Sequence, residues 1–160
     1  MIQVKDVVKS FDGNVVLNHV SANFEDGKVN MIIGQSGSGK TVLMKSMIGL
    51  HVIDSGQIIF DTHHGQQNLA GMSEKEVRML HREVGMLFQG SALFDSMTVQ
   101  ENVMYPLEMF SDMSKDEMVA RARFCLERVN MPERAFGLMP SEISGGMQKR
   151  VAIARAIALN

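Results

Sequence analysis

The sequence predicts an α/β fold, with a mixed α/β core over residues 1–89 and a helical subdomain over residues 90–160. Short apolar runs separated by turn residues fill the first part and are typical of strands. A glycine-rich segment at residues 34–41 joins one of these runs to a helical pattern. From Thr98 onward the periodicity is that of helices, with no convincing strand. Strands and helices in separate stretches indicate two structural parts within one chain.

The N-terminal elements are predicted to be a β-hairpin, a strand that leads into the glycine-rich segment, and a helix. Residues 2–10 alternate between apolar and polar side chains, as a half-buried strand does. Phe11-Asp12-Gly13-Asn14 is a turn, and Val15-Val16-Leu17 opens the second strand of the hairpin. The apolar run Val29–Ile33 predicts a buried strand, and a helix is expected over about residues 40–50.

The middle of the chain is predicted to hold a short strand, a helix and a second buried strand. Residues 57–60 indicate the short strand, and residues 63–71 are polar and expected to be irregular. A capping box at residues 73–76 opens a helix that ends near Arg82. Val84–Phe88 is a second apolar run of the length that a buried strand requires.

Capping boxes at Thr98 and Ser114 predict two further helices, and a final helix is expected from near Ser144. In the helix after Ser114, apolar side chains repeat at helical spacing along one face. This face carries Met118, Ala122, Cys125 and Val129. Cys125 is therefore interpreted as a small core residue rather than a reactive thiol.

The glycine-rich segment has the residues and the position that phosphate binding requires. It fits the pattern G-x-x-x-x-G-K-[ST] at every fixed position, between a predicted strand and a predicted helix. Its glycines let backbone N–H groups converge on phosphate oxygens, and the helix start adds partial positive charge. Lys40 is expected to reach the β- and γ-phosphates, and the Thr41 hydroxyl to ligate Mg²⁺. The predicted phosphate-binding residues are Gly34, Gln35, Ser36, Gly37, Ser38, Gly39, Lys40 and Thr41.

Composition excludes several classes of protein. The formal net charge of −2 gives no general electrostatic basis for binding nucleic acid, so no nucleic-acid partner is expected. The single cysteine excludes an internal disulfide and suits a reducing compartment. No apolar stretch reaches the length of a membrane span, and the first residues do not resemble a signal peptide.

Two further positions are candidates for ligand contact. Ser144-Gly145-Gly146 stands directly before an apolar helix and predicts a second anion-binding helix start. Gln89 follows the predicted strand Val84–Phe88, where a polar side chain can face a ligand.

With these residues in this order, the chain resembles the ATP-binding subunits of ABC transporters along essentially its whole length. The resemblance implies a P-loop NTPase core of the RecA-like type, with an N-terminal antiparallel β part and an inserted helical subdomain. Residues 34–41 resemble the Walker A loop, and Ile143–Met147 resembles the family signature, usually Leu-Ser-Gly-Gly-Gln. Gln89 matches the glutamine that helps to hold Mg²⁺, and Phe11 matches the aromatic side chain that stacks on adenine.

The resemblance therefore implies ATP and Mg²⁺ as cofactors, with Thr41 and Gln89 near the metal. It also implies two copies arranged head to tail, so that Ser144, Gly145 and Gly146 of one close over the ATP held by the other. A membrane permease is the other implied partner, which places the subunit at the inner, cytoplasmic face of the cell membrane. One apolar stretch is a candidate either for docking to the permease or for the core, and it comprises Leu93, Phe94, Met97 and Tyr105.

A narrower resemblance concerns residues 88–103 and the Ser-Gly-Gly-Met sequence that ends at Met147. Both are similar to the Mla/toluene-tolerance branch of the family, which moves phospholipids. Importers of sugars and amino acids more often carry Gln at the position of Met147. Phospholipid is therefore the implied cargo, and an importer for another substrate is the alternative.

Family members continue beyond the signature helix into an apolar strand ending in Asp-Glu and then to a switch histidine, whereas this sequence stops at Asn160. The catalytic residues are therefore not identified, and the C-terminal core strands are expected to be absent. Residues 29–33 and 84–88 should then lack neighbours and expose apolar surface. ATP hydrolysis is expected of the full-length protein, and a nucleotide-binding module without turnover is the alternative.

Two other features look functional but have simpler interpretations. Asp61 follows a short apolar strand, as a metal-binding aspartate would, but no glutamate follows it. The resemblance places this strand in a peripheral sheet instead. His63 and His64 are adjacent, but no further ligand lies at metal-binding spacing, so they are interpreted as solvated.

Overall fold

The computed structural model of the protein describes residues 1–62 and 65–159. The interpretation of His63 and His64 as solvated lies outside the described residues, as does Asn160. The chain divides into two compact units, Met1–His81 and Arg82–Asn160. The first is built on an antiparallel sheet and the second on three helices, while the boundary predicted between residues 89 and 90 stays a prediction.

The sheet of the first unit is antiparallel throughout. Its strands are β1 (Ile2–Phe11), β2 (Asn14–Phe24), β3 (Ser55–Thr62) and β4 (Gly65–Asn68), in the order β2-β1-β3-β4. The predicted hairpin is confirmed, since Asp12 and Gly13 adopt φ of 49° and 82° between β1 and β2. Two left-handed residues in succession are what a tight hairpin turn needs. The short strand predicted at residues 57–60 is confirmed as part of β3, so Asp61 lies in this peripheral sheet.

Strand β4 corrects, for residues 65–68, the expectation that the stretch 63–71 is irregular. Its sequence Gly-Gln-Gln-Asn has no apolar alternation, but its backbone pairs with the edge of β3, with Gln67 opposite Phe60. A 3₁₀ turn, Leu69–Gly71, follows it. The expectation is wrong because ladder hydrogen bonds come from the backbone and need no side-chain pattern.

Residues 29–33 do not form the predicted buried strand. Val29, Met31 and Ile33 are 94%, 75% and 85% exposed, and no strand among the described residues pairs with this segment. The prediction of a buried strand is therefore wrong. The expectation that the segment lacks neighbours and exposes apolar surface is confirmed.

The helices of the first unit are α1 (Lys40–Met47) and α2 (Glu74–Glu83), whose last residues pass into the second unit. Both were predicted, but α1 ends at Met47 rather than near Leu50. Gly49 has a φ of 76°, the left-handed conformation in which helices commonly end. The buried apolar side chains of the first unit are Val4, Val7, Leu17, Leu43, Met47, Ile58, Phe60 and Leu80.

The second unit contains α3 (Val99–Phe110), α4 (Lys115–Arg128) and α5 (Gly145–Ala156), as predicted. Leu107, Leu126 and Val151 are fully buried in the core that the three helices share. Truncating a leucine in such a position to alanine typically destabilises a protein by about 2–5 kcal/mol. Cys125 is also fully buried, which raises the pKa of its thiol and confirms its interpretation as a core residue.

Residues 84–88 lack the predicted strand as well. Leu87 and Phe88 are exposed, and the segment is irregular. The prediction of a buried strand is wrong here too, and the expected exposure of apolar surface is confirmed for Leu87 and Phe88.

Candidate functional site

The loop at residues 34–39 leads into α1. We call the first turn of this helix open, because no side chain caps its backbone N–H groups. Gly39 is the N-cap residue and has no side chain with which to cap the helix. The backbone N–H groups of Lys40, Thr41 and Val42 find no acceptor among the described residues. Free donors at a helix start, together with the partial positive charge of the helix dipole, suit an anion.

Glycine is required where the loop enters the helix. Gly39 has a φ of 87°, and a Cβ on it would lie 3.0 Å from the Val16 carbonyl oxygen and 3.1 Å from the Leu17 side chain. Gly34 is less confined, since a Cβ there would lie 2.7 Å from the Ser38 Oγ, which is the end of a side chain that can rotate away. Strand β2 therefore packs directly against the end of the loop and holds its backbone in place.

The Lys40 side chain folds back over this loop. Its Nζ donates hydrogen bonds to the carbonyl oxygens of Gly34, at 2.8 Å, and Gln35, at 2.6 Å. The loop thus offers an ammonium group and three backbone donors in one place. This combination is the one that binds phosphate oxygens.

Helices α2, α3 and α4 begin in a different way. In each, a hydroxyl side chain at the N-cap accepts a hydrogen bond from the backbone N–H three residues on, and a glutamate there accepts bonds from the N-cap residue. The pairs are Ser73 with Glu76, Thr98 with Glu101, and Ser114 with Glu117. The same hydrogen bonds lower the pKa of each glutamate, which keeps a negative charge at each start.

The start of α5 resembles that of α1 rather than these capped helices. Ser144 is the N-cap residue, and its Oγ accepts from the Met147 N–H at 3.3 Å, but the first turn has no acidic residue. A Cβ on Gly145 would meet nothing within 4 Å, so no described neighbour requires glycine there. Exposed glycines beside free N–H donors leave room for a ligand to approach the backbone.

Phe11 stands at the end of β1 as a partly exposed ring. The His51 ring packs edge-on against it, with centroids 5.3 Å apart, and the Lys9 Nζ lies 5.0 Å from its centroid. Asp54 fixes this end of the strand by accepting hydrogen bonds from the Ser10 Oγ and N–H and from the Lys9 Nζ. The bonds from Ser10 and Lys9 lower the pKa of Asp54 to about 2. A held aromatic ring of this kind can stack on a planar base.

Gln89 lies in an exposed turn, and its side chain makes no hydrogen bond with the described residues. The three residues after it, Gly90, Ser91 and Ala92, are all left-handed, with φ of 81°, 67° and 46°. For side chains other than glycine this region typically costs about 1–2 kcal/mol per residue. The sequence contains no signal of this feature, because serine and alanine are not typical of left-handed backbone.

Asn102 is a second feature that sequence reasoning missed. It is fully buried in α3, where its Oδ1 accepts from the Phe94 N–H and its Nδ2 donates to the carbonyl oxygens of Phe94, Met97 and Thr98. An asparagine shortly after the capping box at Thr98 is the only sequence signal that points to these hydrogen bonds of Asn102.

Among the proposed docking residues, Leu93 packs against the helical core, while the exposed Phe94 ring lies 4.6 Å from that of Tyr105.

The candidate residues fall into two sets. Phe11 and residues 34–41 belong to the first unit, and Gln89 and Ser144–Gly146 belong to the second. Within the described ranges, no three His, Cys, Asp or Glu side chains come together as a metal site, and no helix has the length and apolar character to cross a bilayer.

Comparisons of the sequence with a protein-family profile and with known proteins agree on one family. Residues 17–160 match the protein-family profile described as ABC transporter. The chain is 38% identical over 160 residues to the methionine import ATP-binding protein MetN of Clostridium acetobutylicum, covering 100% of this chain and 48% of MetN. It is 41% identical to the glutamine transport ATP-binding protein GlnQ of Escherichia coli K12, covering 99% of this chain and 64% of GlnQ.

A phospholipid-related protein is similarly close. The intermembrane phospholipid transport system ATP-binding protein MlaF of Escherichia coli K12 is 36% identical over 159 residues, with 99% of this chain and 57% of MlaF covered. A dimeric structure of the ATP-binding cassette MJ0796, bound to ADP and Pi, superposes with a TM-score of 0.89 at 32% identity, covering 100% of this chain and 70% of that one. The chain thus spans about half to two-thirds of the length of the curated relatives it matches, and the predicted α/β fold class is confirmed.

Proposed function

The chain belongs to the ABC transporter family, and from this premise we propose that it is the ATP-binding part of a transporter subunit. ATP would bind with its phosphates on residues 34–41 and its adenine against Phe11. The observation that carries this proposal is the open first turn of α1, where Lys40 lies beside three N–H groups that have no acceptor among the described residues. ATP hydrolysis is proposed for the full-length protein.

We propose Mg²⁺ as the metal ion that accompanies ATP. The Thr41 hydroxyl and the Gln89 side-chain carbonyl are oxygen ligands of the kind that Mg²⁺ prefers. When bound with ATP, the ion would neutralise phosphate charge. The protein residues hold and orient the triphosphate, with Lys40 adding positive charge beside it.

We propose a second copy of the chain as one partner and a membrane permease as the other, at the cytoplasmic face of the membrane. The open start of α5 supports the first part, since Ser144, Gly145 and Gly146 present donors that α5 itself does not use. In a head-to-tail pair these donors would close over ATP bound to the other copy. The exposed ring of Phe94 beside Tyr105 supports permease docking in this region.

Lys40→Ala tests the phosphate site in the full-length protein. We expect its ATP affinity to fall about 100-fold, as loss of a charged hydrogen-bonding group implies, and its ATP turnover to be lost. Lys45→Ala is the matched control, because Lys45 lies in the last turn of the same helix. Unchanged turnover in Lys40→Ala would contradict the assignment of residues 34–41 as the phosphate site. ATP binding without turnover in the wild type would favour a nucleotide-binding module.

Phospholipid is the transported substrate that we propose, on the basis of residues 88–103 and Met147. The likeness to MlaF supports it, and the relatives named for methionine import and glutamine transport define the competing substrates. The test is ATP turnover of the purified transporter complex in detergent micelles, with phospholipid, methionine or glutamine added separately. Stimulation by phospholipid supports the proposal, and stimulation by methionine or glutamine alone overturns it.

A further inference from the structure

The last turn of α5 packs against the segment that carries Gln89. Gly85 lies so close to this turn that a Cβ on it would overlap the carbonyl oxygen of Ala156. Any side chain at position 85 would force the two backbones apart. The chain therefore meets α5 shortly before it reaches Gln89.

After Gln89, the same turn of α5 makes a second contact. The guanidinium group of Arg155 donates one hydrogen bond to the Ser91 carbonyl oxygen, at 2.8 Å, and another to that of Ala92, at 2.7 Å. Arg155 is half-buried, so its bonds are partly shielded from water. Arg155 and Ala156 are adjacent in sequence, which means that one helical turn contacts the chain on both sides of Gln89.

The backbone between these contacts needs support. Ser91 and Ala92 keep left-handed φ values that their side chains disfavour, and such conformations persist only where surrounding contacts hold them. Arg155 supplies contacts to both residues. Farther along, Asn102 binds the Phe94 N–H and carbonyl, so the loop is held at its other end as well.

We propose that Arg155 is a positioning residue for Gln89. From the last turn of α5 it fixes the backbone from which the Gln89 side chain reaches Mg²⁺, so that Gln89 and the helix headed by Ser144 move together. The 12 residues of α5 form a rod of roughly 18 Å between these two ends. The inference rests on the proposed function, in which Gln89 is a ligand of nucleotide-bound Mg²⁺.

The first arm of the test needs no nucleotide. The Ser91 N–H donates to the Phe88 carbonyl oxygen at 3.2 Å, so its hydrogen exchange reports on the turn at Gln89. In the full-length protein, Arg155→Met should exchange this proton about tenfold faster, as the loss of a charge-assisted hydrogen bond implies. Arg150→Met is the matched control, because Arg150 lies on the same helix but donates to the Asn130 carbonyl instead. Unchanged exchange in Arg155→Met overturns the proposal.

The second arm measures the Mg²⁺ concentration that gives half-maximal ATP turnover. Arg155→Met should raise it about as much as Gln89→Ala does, the double variant should be no worse than Gln89→Ala alone, and Arg155→Lys should restore part of the loss. Faster exchange with an unchanged Mg²⁺ requirement, or additive effects in the double variant, would mean that Arg155 is merely structural and overturns the proposal.

If Lys40→Ala leaves turnover unchanged, the proposed function fails instead, and the exchange arm still decides whether Arg155 holds the loop. If Arg155→Met does not fold, both arms are read from Arg155→Lys, which loses the forked geometry but keeps the charge.

Discussion

The starts of α1 and α5 lack the acidic side chain that caps the starts of α3 and α4. This difference separates helix starts that suit anion binding from helix starts that stabilise the fold. At α3 and α4 a glutamate already satisfies the N-cap residue and places its negative charge at the helix start. At α1 and α5 the first turn has no acidic residue, and glycines precede or form it. The N-cap backbone of α1 also differs, since Gly39 is left-handed whereas Thr98 and Ser114 are extended. Helix starts thus serve two purposes, and the third helical residue distinguishes them.

The largest expected effect comes from closing the start of α1. Val42 holds the position in α1 that Glu101 holds in α3. Val42→Glu should therefore place a negative charge beside the phosphates and lower ATP affinity by about tenfold, since Val42 is partly buried and a charge in such a place at a helix start contributes up to about 2 kcal/mol. Isothermal titration of the full-length protein with ATP measures this.

Val42→Gln is the matched control, because it has the same shape without the charge. It should keep most of the affinity. Equal losses in both variants would mean that bulk, not charge, disturbs the loop, and the comparison between open and capped starts would fail for α1.

A smaller effect is expected from opening a capped start. Ser114→Ala removes the hydroxyl that accepts from the Glu117 N–H and donates to its carboxylate. The free energy of unfolding should fall by about 1 kcal/mol, as for other N-cap replacements, while ATP affinity stays the same. Urea unfolding and ATP titration of the same variant check both statements.

The pH dependence of this effect has a fixed sign. Hydrogen bonds from Ser114 lower the pKa of Glu117 below its ordinary value of 4.5, so the unfolded state binds a proton more readily than the folded state. The stability that Glu117 contributes is present above pH 4.5 and is lost as the pH falls through the folded pKa. The difference between the wild type and Ser114→Ala should shrink over that range, and a difference that grows on acidification contradicts the account.

Local sequence signals were sufficient for the helices and the hairpin. The capping boxes at Thr98 and Ser114 and the Asp12-Gly13 turn act within a few residues, so the sequence contains all that they need. The formation of a strand, in contrast, depends on a partner strand that can lie far away in the sequence. Residues 29–33 have a strand-like sequence but find no partner strand in the described part of the chain, whereas β4 has no strand-like pattern and pairs with β3.

The same distinction applies to the candidate site. The loop at residues 34–41 could be identified because its pattern is contiguous and each residue type has a chemical reason. The contacts of Arg155 with Ser91 and Ala92 span more than sixty residues of sequence. No pattern along the chain indicates such a pair, because a carbonyl oxygen is the same in every residue.

Amide hydrogen exchange of the full-length protein, with and without ATP and Mg²⁺, tests the central claim most directly. The account predicts slower exchange on ATP binding at Lys40, Thr41 and Val42 and, once two copies associate, at Gly145 and Gly146. The amides of Glu101 and Glu117 should not change, because their helix starts are already capped. No protection at Lys40–Val42, or equal protection at the starts of α3 and α4, would contradict the claim that open helix starts hold the nucleotide.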